Sequence, residues 1–110
     1  MKRKFPNTRL RRLRNNSPIR NLIKENTLSP HDLIQPIFLI EGKNKVQKIK
    51  SMPDIFRMSL DVALKEIKIL KNLGIQGIAL FPCINKKYKD NIGSESFNPN
   101  GLMQKAINKI

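Results

Sequence analysis

The stretch Leu73-Gly74-Ile75-Gln76-Gly77-Ile78-Ala79-Leu80-Phe81-Pro82 constrains the fold most, because an amphipathic helix here runs directly into a buried strand. Upstream, Leu60, Leu64, Ile67, Leu70 and Leu73 recur at spacings of three and four, with Asp61, Lys65, Lys68 and Lys71 between them. One face is apolar and the other solvated, which predicts a helix beginning near Ser59, a suitable N-cap with Asp61 in the first turn. Gly74 suits the left-handed position just beyond the helix, where a Cβ would be costly. From Ile75 to Phe81 only Gln76 is strongly polar, so a short strand covered on both faces is expected, ending at Pro82.

Around this junction the chain reads in order. Ser17-Pro18 predicts the cap and first residue of a short helix that shares Ile19, Leu22 and Ile23 on one face. Ser29-Pro30-His31-Asp32 predicts a second helical start, with Asp32 returning a hydrogen bond to the cap. Pro36 closes that turn, and Ile37 to Ile40 forms the first core strand, closed by Glu41-Gly42. Residues 43–58, with Met52-Pro53, read as a loop or short hairpin elements. After Pro82 comes a polar, lysine-rich segment from Cys83 to Phe97; Asn98-Pro99 then caps a helix carrying Leu102, Met103, Ala106, Ile107 and Ile110 on one face. Strand, helix, strand, helix argues a parallel α/β sheet with right-handed crossovers. Two strands and one crossover leave open edges and bare faces, so either further βα units or copies of the chain must complete the sheet.

Charge adds a second constraint. The 110 residues carry a net +14 with a pI near 10.5, which invites a nucleic-acid reading. Lysine is spread evenly outside the N-terminus, and a lysine-, isoleucine- and asparagine-rich drift in composition explains the charge more economically. Residues 1–16 are denser, with Lys2, Arg3, Lys4, Arg9, Arg11, Arg12 and Arg14 and no acid. Such an arm binds phosphates, or lies across another subunit with its guanidinium groups forked onto carboxylates. Cys83 is the single cysteine, which excludes an intrachain disulfide and fits a reducing, cytoplasmic setting. No apolar run approaches the roughly 18 residues that span a bilayer.

No catalytic constellation assembles by spacing. Gly74 and Gly77 precede a strand, so they are not a phosphate loop. Cys83, just beyond the strand, reads as a small packed hydrophobe, His31 as a solvated first-turn residue, and Asp90, Glu95 and Glu41 as solvated loop carboxylates.

The pieces Phe5-Pro6-Asn7-Thr8-Arg9-Leu10-Arg11-Arg12-Leu13-Arg14, Arg20-Asn21-Leu22-Ile23-Lys24-Glu25-Asn26, Leu28 to Phe38, Ser51-Met52-Pro53, Leu73-Gly74-Ile75, Leu80-Phe81-Pro82 and Asn98 to Leu102 stand in unbroken order. Together they resemble the N-terminal third of porphobilinogen synthase, the delta-aminolevulinic acid dehydratase family. The resemblance implies an α/β fold, the first part of a (β/α)8 TIM barrel (residues 31–110) preceded by an extended N-terminal arm (1–30) that embraces a neighbour in a homo-octamer. It implies a lyase that condenses two 5-aminolevulinate molecules into porphobilinogen in tetrapyrrole biosynthesis, with a divalent metal, zinc or magnesium. The family's Schiff-base lysines, metal ligands and substrate-carboxylate arginines fall after this chain ends, so no catalytic or metal-binding residue is assigned here, and Lys86, Lys87 and Lys89 are left as loop residues. Phe81 is the one site residue implied, a wall of the substrate pocket, with an ordinary core phenylalanine as the competing reading. Asp54 departs from the glycine usual after Ser-Met-Pro. The alternative, a basic nucleic-acid-binding module, would bind tightly and lose affinity steeply with salt.

Overall fold

The computed structural model describes residues 4, 6 and 11–110. Much of the arginine-rich arm, including Lys2, Arg3, Phe5, Arg9 and Leu10, lies outside the described residues. Helix α1 (Ser17–Leu22) is capped one residue earlier than expected: the Asn16 side chain accepts from the Ile19 amide at 3.0 Å, and Pro18 fills the first turn. Ser29 to Asp32 forms the expected reciprocal cap around a 3-10 turn, the Asp32 carboxylate accepting from the Ser29 amide at 2.8 Å and from its hydroxyl at 2.9 Å. These bonds to the ionised form hold the Asp32 carboxyl below its ordinary range. His31 is exposed in that turn, as expected.

Helix α2 (Leu60–Asn72) ends as the sequence predicts. Gly74 takes φ +88, its amide donates to Lys71 O at 3.0 Å, and the Ile75 amide donates to Leu70 O at 3.1 Å. This is the paired closure in which the residue after a left-handed glycine bonds back into the last turn, and Ile75 and Leu70 supply its apolar contact. Because the Ile75 amide serves this closure, strand β4 begins only at Gly77 and runs to Pro82. At its other end α2 is fixed differently from expectation. Ser59 occupies the cap position, but its fully buried hydroxyl accepts from the Lys45 amide at 2.9 Å, and the Asp61 carboxylate accepts from the Asn44 amide at 2.9 Å. The Ser59 hydroxyl leads, with the Asn44 amide behind it, in lowering the Asp61 pKa. The connection after the first strand is thereby tied to the helix start.

Strand β1 (Ile34–Leu39) begins earlier than expected, and Pro36 lies inside it rather than before it. Pro36 is tolerated because at that point only β4 flanks the strand, opposite Ala79. The connection folds into a hairpin of β2 (Val46–Lys48) and β3 (Phe56–Met58), antiparallel to each other, and β3 then pairs with β1 in parallel over Phe38 and Leu39. The sheet order is β2-β3-β1-β4, so the sheet is mixed where a parallel one was expected; β1 and β4, joined through α2, keep the expected parallel pairing over six residues. Among the described residues the strands do not close into a barrel. Asn98-Pro99 opens no helix: Asn98 Oδ1 accepts from the Asn100 amide at 3.0 Å in a turn, and helix α3 (Leu102–Ile107) starts after Gly101.

The core lies on one side of the sheet. Ile37 and Leu39 of β1 pack with Ala63 and Leu70 of α2 and Ala106 of α3. Complete burial of Leu39 is worth about 1.5–3 kcal/mol. The expected covering of β4 on both faces is not found, because the helices α2 and α3 share one face and β4 is only half-buried, with Phe81 exposed.

The hairpin turn gives the sequence departure at Asp54 a conformational cost. Its φ is +60, in the left-handed region where an L side chain is penalised and glycine is not. Asp54→Gly is therefore expected to slow amide exchange at Ile49 and Ile55, the hairpin donors at 3.1 and 3.2 Å, by about two- to fivefold. Unchanged exchange would show that the turn stores no strain.

Candidate active site

Strand alternation sorts the sheet into two faces. Ile37 and Leu39 point at the helices, so Phe38 points away from them, and the register sets Phe38 opposite Phe81 on β4. The two rings stack with centroids 5.3 Å apart and planes at 25°. Such a pair contributes about 0.5–1.5 kcal/mol beyond its buried area. Each phenylalanine is the next-to-last residue of its strand, so the stack stands at the C-terminal ends of two parallel strands, where α/β folds place their ligands. Phe81 remains 50% exposed, outside the helix-covered core.

The same row continues into the hairpin. Arg57 is in register with Phe38 on one side and with Gln47 on the other, while its neighbour Met58 packs into the helix-side core. Gln47, Arg57, Phe38 and Phe81 thus share one face. Neither Phe38 nor Arg57 was singled out by sequence reasoning. Phe38 carried a signal, since it sits at the same offset from its strand end as Phe81; Arg57 carried none until the hairpin register placed it.

The segment after β4 is built by its own side chains. The Cys83 amide extends the ladder by donating to Leu39 O at 2.7 Å, but its thiol is exposed, against the expectation of a packed cysteine. Asp90 and Glu95 have partners that sequence alone did not identify. Asp90 accepts from both the amide and hydroxyl of Ser94, the hydroxyl first in lowering its pKa, and Glu95 accepts from Asn98 Nδ2 at 3.0 Å. Asp90 is a loop clamp rather than an acid poised for catalysis. Lys86, Lys87 and Lys89 are exposed, and Lys87 Nζ sits 4.6 Å from the Tyr88 ring centroid. The Tyr88 side chain accordingly raises the Lys87 pKa, opposite to the depression that would make a nucleophilic amine.

A groove of about 540 Å³ lies between α2 and α3, lined by Glu41, Lys43, Leu60, Asp61, Leu102 and Lys109, on the far side of the sheet from Phe81. No three His, Cys, Asp or Glu side chains among the described residues come together to hold a metal ion, so these residues do not fit a metal centre. No helix among them is long and apolar enough to cross a membrane.

Residues 7–110 match the family described as delta-aminolevulinic acid dehydratase. Relatives of that name from Methanothermus sociabilis and Chlamydia pneumoniae are 47% and 44% identical over 94% and 93% of this chain. The chain spans only 32% and 31% of their lengths. The crystal structure of delta-aminolevulinic acid dehydratase (porphobilinogen synthase) from Toxoplasma gondii ME49, in complex with the reaction product porphobilinogen, superposes with a TM-score of 0.83 at 37% identity, over 91% of this chain and 28% of that one. The reading as a nucleic-acid-binding module finds no support in these matches. With the match running almost end to end and the fold shared, the chain belongs to the delta-aminolevulinic acid dehydratase family.

Proposed function

We propose that this chain is the opening segment of a porphobilinogen synthase, with residues 1–30 an arm and 31–110 the first βα units of a (β/α)8 barrel, and that Phe81 walls the pocket in which two 5-aminolevulinate molecules condense. The observation that carries the reading is the Phe38–Phe81 stack at the C-terminal ends of β1 and β4, on the face the helices leave free. Two stacked rings exclude water from whatever lies against them. A dry surface favours the neutral, nucleophilic form of an amine over its ammonium, which is the condition for Schiff-base formation. The lysines that would form it are supplied by the rest of the enzyme, as are the ligands of a zinc or magnesium ion, which in the family supports the condensation. The enzyme acts in the cytoplasm as a homo-octamer joined through the arms, with no role for nucleic acid.

The test is a chimaera in which this chain replaces the corresponding third of the Methanothermus sociabilis protein; it should form porphobilinogen from 5-aminolevulinate. The arm has its own test in the same chimaera. The described residues 11–16 are all exposed, and so sparse a segment is ordered only against another surface. Deleting residues 1–16 should lower the oligomeric state by light scattering while leaving the circular dichroism of the barrel intact. An unchanged assembly would remove the arm from the interface.

A further inference from the structure

We propose that Arg57 holds a carboxylate at the open strand ends, beside the Phe38–Phe81 stack. The proposal rests on the functional reading above, which makes this face the inside of a barrel. Arg57 is half-buried in the middle of β3, and its register neighbours Gln47 and Phe38 carry no negative charge. The nearby acids Asp54 and Glu66 border a groove with Phe56 and Met58 on the helix side, away from the face that Arg57 shares with Phe81. Closing a barrel over this face removes the guanidinium further from water, and a buried guanidinium without a counter-charge is strongly unfavourable.

Geometry selects the kind of partner. Neighbouring strands are about 4.8 Å apart, so Arg57 and Phe81 flank Phe38 at about 10 Å from each other. A small molecule resting on the two rings therefore reaches the guanidinium with one end. The planar fork of arginine suits a carboxylate, which it takes through two parallel hydrogen bonds, better than a single-point acceptor. Two sources offer that group: the ligand on the Phe81 wall, or an Asp or Glu of the strands that close the sheet. Arg57 is a substrate contact in the first case and a positioning residue in the second.

Arg57→Met and Arg57→Lys in the chimaera separate the outcomes, since the first keeps the aliphatic stem and the second keeps the charge. A ligand carboxylate predicts that Arg57→Met raises the KM for 5-aminolevulinate about tenfold or more at an unchanged melting temperature. A side-chain carboxylate predicts a melting temperature lowered by about 4 °C or more with KM retained. In both cases Arg57→Lys should recover part of the loss. The proposal is overturned if Arg57→Met leaves KM and melting temperature unchanged, or if Arg57→Lys is no better than Arg57→Met. Failure of the functional reading shows separately, as an unaltered chimaera that makes no porphobilinogen; the melting temperatures of the Arg57 variants then decide, and unchanged values overturn the carboxylate.

Discussion

Purified alone and given 5-aminolevulinate with zinc or magnesium, the chain should form no porphobilinogen, whereas the chimaera should form it at a rate about 10⁴-fold or more above that background. The gap is large because covalent catalysis fails as a unit: on the proposed reading Phe81 only walls the pocket, and a wall without a nucleophile positions a substrate that nothing attacks. The described lysines near the strand ends lack the character of a Schiff-base nucleophile, since Lys86, Lys87 and Lys89 are exposed and Lys87 has its pKa raised beside Tyr88. Measuring product from both proteins at matched concentration decides the matter. Metal-dependent product from the isolated chain would place a reactive amine within these residues.

Phe81→Leu in the chimaera should lower kcat/KM by about tenfold or more, a loss near 1.4 kcal/mol of transition-state stabilisation, with little change in melting temperature. The substitution keeps an apolar side chain but removes the flat ring that stacks on Phe38 at 5.3 Å. Half of the Phe81 surface is open in this chain, and a residue that walls a substrate pocket keeps an open side in the chimaera, so on the proposed reading its truncation leaves no closed cavity. The competing reading, a core phenylalanine in the completed protein, predicts the reverse: a stability loss of about 1–3 kcal/mol with normal kinetics in the folded molecules. Kinetics and thermal unfolding on one preparation separate the two, and normal kinetics with a lowered melting point would remove Phe81 from the site.

Elements with local causes were legible in the sequence. The left-handed Gly74 and the Ser29–Asp32 cap depend on residues a few positions apart and stand as read, and the α2 stripe holds through Leu70, though Leu73 at its end is exposed and Ala63, outside the expected stripe, is fully buried. What could not be read depends on partners distant in sequence. Ser59 has the composition of a helix cap, but the Lys45 amide takes its hydroxyl. Pro36 looks like a strand boundary until the absence of β3 beside it makes an edge there. The hairpin register, which sets Arg57 beside Phe38, follows from a turn through the unfavourable φ of Asp54, and no residue pattern announces it. The candidate site divides along the same line: the family resemblance pointed to Phe81, Phe38 carried a signal in its matching offset from a strand end, and Arg57 carried none until the hairpin register placed it.

The strand order puts β4 last, so among the described residues the Gly77–Pro82 backbone bonds to β1 along one side and offers its other side unpaired. Its residues Ile78, Ala79, Leu80 and Phe81 carry no charge, and no bulge or lysine interrupts them. Such an edge accepts any extended chain that meets it, including another copy of itself. During synthesis the hazard is one of timing. At about 5–20 residues added per second, this edge stays open for a second or more while the residues after Pro82 are made, and while open it exposes unpaired backbone groups to chaperones and to other copies of the chain.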